Sequence, residues 1–267
     1  MKDNKGFAYK EYEIITKEEI APETFLFSFK GQFNFEPGQF VQAALDHYGE
    51  ATFALCSDSE NKKTFDLCIR AAGSATNRMI ELSPGDFLKL RGPYGNGWPI
   101  SKMLGQNIVL VAGGMGLVPL KPLIFNLIRY KSEFKKIYLV TGFRTDHHML
   151  FKKELEKLRN KINLKVIVEH GSKDFWGEQG LITEGLEPLN LDGKKTIVFM
   201  CGPEVMVSHC NDVLFKKGIK EENIFISFER RMECGIGVCQ HCNIGRYLVC
   251  KDGPIFRYDK IKDEIGK

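Results

Sequence analysis

Four cysteines crowd together near the C-terminus. The run Cys234-Gly-Ile-Gly-Val-Cys239-Gln-His-Cys242-Asn-Ile-Gly-Arg-Tyr-Leu-Val-Cys250 reads C-x4-C-x2-C-x7-C. Thiolates are soft ligands, and four of them suffice to hold two irons. The first three have the spacing of plant-type [2Fe–2S] sites, with the fourth ligand arriving later. Gly235 and Gly237 let the loop adopt positive φ and turn backbone N–H groups toward sulfur. Structural zinc is the alternative, but zinc motifs usually pair two C-x2-C units across a longer loop. Only one such pair is present here, so the spacing favours iron–sulfur. His241 is a stray ligand candidate whose plainer reading is a surface residue.

A second group of residues is suited to a phosphate ligand. Val109-Leu-Val-Ala-Gly113-Gly114-Met-Gly116-Leu-Val-Pro119 reads as a strand, a glycine turn and a helix start. Small residues let backbone approach a pyrophosphate, and the helix N-terminus supplies N–H groups and positive potential. A glycine turn alone is weak evidence, because any tight βα turn looks similar. Cys201-Gly202-Pro203-Glu204-Val205-Met206 adds weight, since it falls after a later strand of the same expected sheet. Both loops would lie at the carboxyl edge, where such sheets bind ligands. For the ribose, Arg144 suits a 2′-phosphate and Asp146 a hydroxyl, but such residues are more often simply a solvated loop.

These residues need elements to position them. Phe25–Phe29, Gln39–Ala43, Thr64–Ile69 and Phe87–Leu90 read as short strands, punctuated by Pro37-Gly38 and Pro84-Gly85. Such spacing predicts an antiparallel barrel, interrupted by one helix over Ala75–Leu82. From Gln106 onward the pattern changes to alternation. Strands are expected at Asn107–Ala112, Lys136–Thr141, Leu164–Glu169, Thr196–Cys201 and Asn223–Ser227. Helices are expected at Leu120–Ser132, His148–Arg159 and Pro203–Lys217. That alternation predicts a parallel sheet covered by helices. The expected fold class is therefore a multi-domain α+β chain: an antiparallel barrel over 1–102, an α/β parallel-sheet domain over 103–227, and a small cluster segment over 228–267.

The 267 residues carry 43% hydrophobic and 27% charged side chains, ordinary for a globular protein able to bury cores. A formal net charge of +4 with scattered basic residues gives no argument for nucleic acid. The most apolar stretch, Ile108–Ile128, is broken by glycines, Pro119, Lys121 and Pro122, so no membrane span is expected. The polar start of the chain lacks a signal-peptide core, and a cytoplasmic location is expected.

In this order the elements resemble the ferredoxin–NADP⁺ reductase superfamily. The cluster-bearing tail is similar to the electron-transfer subunits of dihydroorotate dehydrogenase, sulfhydrogenase and, most nearly, anaerobic sulfite reductase. Glu229–Cys234, Cys250–Arg257, Gly49-Glu50-Ala51, Arg91–Pro99 and Val111–Gly114 carry the resemblance. It implies FAD on the barrel, with NADH (NADPH less so) as hydride donor and the [2Fe–2S] cluster as one-electron carrier. It also implies an iron–sulfur partner subunit and a siroheme catalytic subunit that reduces sulfite to sulfide. The family's flavin strand, Arg-x-Tyr/Phe-Ser, aligns with Ala51–Ala54. Phe53, Ala54, Leu55 and Cys56 would then form the flavin strand, with Phe53 against the isoalloxazine. Arg70, Gly73, Ser74, Ala75 and Thr76 match the segment that meets the flavin pyrophosphate. Cys201 would lie near the nicotinamide. The Cys56 thiol itself, like Cys68 and Cys210, reads as a buried small apolar group. Another electron-transfer complex of the same branch is the alternative function. A zinc-bound scaffold without a flavin is the alternative from a different class.

Overall fold

The computed structural model describes residues 8–265. The chain divides into two compact units: residues up to Trp98 with Phe228–Ile255, and Pro99–Ser227 with Phe256 onward. The C-terminal segment is thus no third unit. It has too few apolar residues for a core of its own and is shared between the other two.

The first unit contains β1 (Lys10–Ala21), β2 (Thr24–Lys30), β3 (Phe40–Leu45), β4 (Gly49–Ala54), β5 (Thr64–Arg70), α1 (Ser74–Met79) and β6 (Phe87–Tyr94). The strands run antiparallel in the order β4-β3-β6-β1-β2-β5. A bridge between Leu55 and Leu67 joins the two outer strands, so the sheet closes on itself. Alternation drives closure, because every second residue of Thr-Phe-Leu-Phe-Ser-Phe-Lys in β2 faces inward. Phe27 and Phe29 are fully buried, and Phe29 stacks on Phe65 at 5.2 Å. Each such ring contributes roughly 1.5–3 kcal/mol by leaving water.

The second unit holds β7 (Asn107–Gly113), α2 (Leu117–Arg129), β8 (Lys136–Thr145), α3 (Lys152–Leu158), β9 (Asn163–His170) and β10 (Glu178–Gln179). It continues with α4 (Ile182–Leu186), β11 (Thr196–Cys201), α5 (Glu204–Lys216) and β12 (Ile224–Ser227). The tail adds β13 (Asn243–Ile244), β14 (Tyr247–Leu248), α6 (Val249–Asp252), β15 (Ile255–Arg257) and α7 (Tyr258–Ile261). The large sheet has the order β10-β9-β8-β7-β11-β12-β15, and β7 through β12 pair in parallel. From β7 the chain first builds outward through β8 and β9, then returns to place β11 on the other side of β7. That reversal makes a topological switch point at the carboxyl ends of β7 and β11, where such sheets bind ligands. Among the described residues, no helix is long and apolar enough to cross a membrane.

Candidate functional site

The cysteine loop lies against the barrel within the first unit. Cys234, Cys242 and Cys250 are buried and Cys239 is half-buried; none is in a disulfide. Gly235 and Gly237 take φ values of +73° and +78°, as the spacing predicts. These turns aim amides at sulfur. Gly237 N–H donates to Cys250 Sγ at 3.1 Å, Val238 N–H to Cys234 Sγ at 3.2 Å, and Cys250 N–H to Cys242 Sγ at 3.4 Å. Burial alone would raise the Cys234 thiol, but amides of Cys239, Ile236 and Val238 outweigh it and bring the pKa to about 6. Burial and the neighbouring Cys242 push Cys250 up to about 12. A negatively charged metal–sulfur group is what such a ring of donors accommodates, so the residues present fit one. His241 is exposed, and its Nδ1 lies 2.5 Å from the Glu233 carboxylate.

Both ends of this loop are fastened to barrel side chains that sequence reasoning did not single out. At its start, Gln42 Nε2 donates to the Met232 carbonyl at 3.4 Å. Arg91 donates to the carbonyls of Glu233 and Cys234 at 2.7 and 2.5 Å. At its end, Asn96 donates Nδ2 to the Ile255 carbonyl and accepts the Ile255 N–H, both at 2.9 Å. Arg91 and Asn96 fall in the Arg91–Pro99 run that carries part of the family resemblance, but nothing in sequence separates an anchoring polar residue from a solvated one.

The expected flavin segments lie at neighbouring edges of the same barrel. β4 alternates, turning Phe53 and Leu55 into the core and Ala54 away from it. Phe53, at 9% exposure, packs with that core. Cys56 is buried and its Sγ donates to the Asp66 carbonyl. Next to it the Ser57 hydroxyl is 3% exposed and has no hydrogen-bond partner, nor does Thr52 Oγ1 on β4. Such orphaned polar atoms fit a strand that meets a polar ligand. Arg70 ends β5 and is exposed. Gly73 caps α1, and Ser74 and Ala75 open it. Thr76 does not present its hydroxyl outward: Oγ1 accepts the N–H groups of Ala72 and Gly73 at 2.9 and 3.0 Å. Its work is to shape the turn, because a hydroxyl three residues into a helix reaches back to the cap.

In the second unit the two glycine loops close against one another. Register pairs Ala112 with Cys201. A methyl group on Gly116 would come 2.0 Å from the Cys201 carbonyl oxygen, and one on Gly113 would meet Met206 Sδ at 2.4 Å. Gly202, at φ +158°, is crowded by the Met206 methyl group, and Pro203 caps α5. These glycines permit loop-to-loop packing. Gly114 differs: its φ is +53° and the position of its absent side chain is open. It is the glycine where a ligand has room to approach. Cys201 is 1% exposed at the end of β11. Asp146 accepts from Ser172 Oγ at 2.7 Å and Ser172 N–H at 3.3 Å, and the hydroxyl holds its carboxyl below the usual range. Arg144 is exposed at the end of β8.

Comparison with known proteins decides the lineage. Residues 11–98 match the oxidoreductase FAD-binding domain, 110–212 the oxidoreductase NAD-binding domain, and 229–262 the iron–sulfur cluster binding domain of dihydroorotate dehydrogenase B. Sulfhydrogenase 1 subunit gamma of Pyrococcus furiosus is 36% identical, over 96% of this chain and 91% of that protein. A probable dihydroorotate dehydrogenase B electron transfer subunit of Thermococcus kodakarensis is 34% identical, over 94% of this chain and 98% of its own. The chain belongs to this family of FAD- and NAD-binding electron-transfer subunits. The fold agrees. A solved NADH-dependent reduced ferredoxin-NADP oxidoreductase, an electron-bifurcating flavoprotein, superposes with a TM-score of 0.77 over 97% of this chain and 94% of its own, at 24% identity. The family thus carries FAD, NAD and iron–sulfur domains in the order expected, and the oxidoreductase assignment stands. Sulfite reduction is named by neither curated relative.

Proposed function

We propose that this chain oxidises NADH and delivers the electrons singly, through FAD and a [2Fe–2S] cluster, to a catalytic partner subunit. The observation that carries the reading is the cysteine loop itself: four thiols in C-x4-C-x2-C-x7-C order, ringed by backbone N–H donors. Cys234, Cys239, Cys242 and Cys250 would hold the cluster, whose chemistry is one-electron storage at a potential set by its surroundings. FAD supplies the change from hydride to single electrons. On the protein side, Ala54 and the Ser57 hydroxyl would border the flavin ring. Arg70 would offer charge, and the first-turn amides of Ser74, Ala75 and Thr76 would meet the pyrophosphate. Gly113, Gly114 and Gly116 with Cys201, Gly202 and Pro203 would orient the nicotinamide nucleotide, Gly114 making the closest approach. No side chain is required as acid, base or nucleophile.

The partner reading follows from the tail. A gap of seven residues before Cys250, followed by Asp252-Gly-Pro-Ile-Phe256, suits the sulfhydrogenase and sulfite reductase types better than the dihydroorotate type. The name of the 36%-identical relative favours the sulfhydrogenase type. The same tail supports a second reading, electron supply through an iron–sulfur subunit to a siroheme subunit that reduces sulfite. Either way the chain works as a donor module. Isolated protein should reduce artificial dyes with NADH, and should make no sulfide from sulfite. Assays with copurified partners test the acceptor: sulfide formed on adding iron–sulfur and siroheme subunits favours sulfite, and NADH-linked hydrogenase turnover favours the sulfhydrogenase type. Sulfide made by the chain alone would contradict the division of labour. Protein containing zinc and no iron would contradict the reading altogether.

A further inference from the structure

Arg91 is a charged residue placed where charge is costly. Its side chain is 3% exposed, and it lies opposite Gln42 in the pairing of β6 with β3. The guanidinium sits over the rings of Tyr9 and Tyr94, at 5.3 and 5.6 Å. Burial alone would favour its neutral form, but hydrogen bonds to Tyr9 and Glu50 more than offset that, and it stays protonated. Its fork is shared between two jobs. One is backbone: Nη1 and Nη2 take the carbonyls of Cys234 and Glu233. The other is charge: Nη2 lies 3.0 Å from Oε2 of Glu50 on β4. The carbonyl ends of this segment therefore face the barrel, while amides just beyond it face the cysteine sulfurs. Gly235 completes the seat, since a methyl group there would come 3.0 Å from the Tyr94 ring.

We propose that the Arg91–Glu50 pair seats the cysteine loop and sets the potential of the cluster it holds, Arg91 raising that potential and Glu50 lowering it. The inference rests on the cluster reading given above. Reduction adds one negative charge to the metal group, and a fixed cation held on the carbonyl of Cys234, itself a proposed ligand, favours the reduced form. Water screens the guanidinium weakly because it is buried, and the one-third-exposed Glu50 carboxylate more strongly. The carboxylate opposes the effect, so the two residues pull in opposite directions. Arg91 acts through the Cys234 backbone and its field, and is a positioning residue. A purely structural role predicts something else: loosening the loop from either side would move the potential the same way, or not at all.

The test is an EPR-monitored redox titration of anaerobic holoprotein, with iron content measured alongside. Arg91→Met should shift the reduced-to-oxidised ratio three- to tenfold toward the oxidised form, a fall of about 30 to 60 mV for a one-electron couple. Glu50→Gln, which keeps the hydrogen-bonding shape, should raise the potential by a smaller amount, because the carboxylate is one-third exposed. Arg91→Lys keeps the charge and loses the fork, so it should recover most of the potential while losing iron faster on dilution. If Arg91→Met fails to fold, Glu50→Gln decides alone, and a potential that is unchanged or lower overturns the proposal. Shifts of the same sign in both variants also overturn it. Wild-type protein with iron but unmoved variants defeats this inference alone, whereas wild-type protein without iron defeats the cluster reading and this inference together.

Discussion

Cys210 and Cys242 are both buried thiols, yet their surroundings assign them different chemistry. Cys210 lies on α5 with nothing to support a thiolate, and burial pushes it up to about 12. Cys242 Sγ accepts the Cys250 amide inside the loop. Cys242→Ser should therefore release iron and bleach the visible spectrum, while Cys210→Ser keeps both and costs at most about 1–2 kcal/mol of packing. The glycines permit a sharper comparison. Gly116→Ala drives a methyl group into backbone that cannot move aside, and should lower the melting temperature by roughly 5–10 °C. Gly114→Ala meets open space and pays only for positive φ, about 1 kcal/mol. Its larger effect should be on NADH affinity, read by fluorescence titration. At this scale the clustered cysteines and the positive-φ glycines between them were legible because their spacing shows in the sequence itself. Glu50, Arg91 and Asn96 lie in runs that carry the resemblance, but their anchoring role, like that of Gln42, was not legible because it lies in partners far along the chain.

The elements were legible where one periodicity dominated. The apolar alternation of β2 and β5 and the apolar runs of β7, β8 and β11 match their expected positions within a few residues. Strand β1 was not named because half of Lys-Glu-Tyr-Glu-Ile-Ile-Thr-Lys-Glu-Glu-Ile-Ala is charged. Only Ile14 and Ala21 of its twelve residues are buried, and pairing with β2 and β6 holds it in place. β13, β14 and α6 were missed because they are too short to show a pattern. They also lack a core: within 234–250 only Ile244 and Val249 are buried apolar residues besides three of the cysteines. Such a segment needs its metal for order. Removing iron anaerobically with a chelator should raise amide exchange across 234–250 and leave the β2–β5 pairing protected. Mass spectrometry of peptic fragments reads both. Uniform loss of protection across the barrel would show that the metal supports the whole unit. On the barrel, Glu50→Ala would leave the buried Arg91 without its carboxylate. Because Glu50 is one-third exposed, the cost should be about 2–3 kcal/mol rather than that of a fully buried pair.

For the whole molecule, fold and electron-carrying role follow from three consecutive modules, while the terminal acceptor does not. The acceptor belongs to a partner surface, and no residue here has to recognise sulfite, hydrogen or dihydroorotate for the chain to do its part. The central claim is that electrons from NADH reach the C-terminal cluster by way of FAD. The direct test is anaerobic EPR of isolated protein, with and without FAD, after one equivalent of NADH. FAD-replete protein should hold about two irons per chain and develop an S = 1/2 signal within the mixing time. FAD-depleted protein with the same iron should develop that signal only with a chemical reductant. A signal that appears equally without FAD, or a cluster that stays oxidised in the replete protein while dithionite reduces it, would contradict the account.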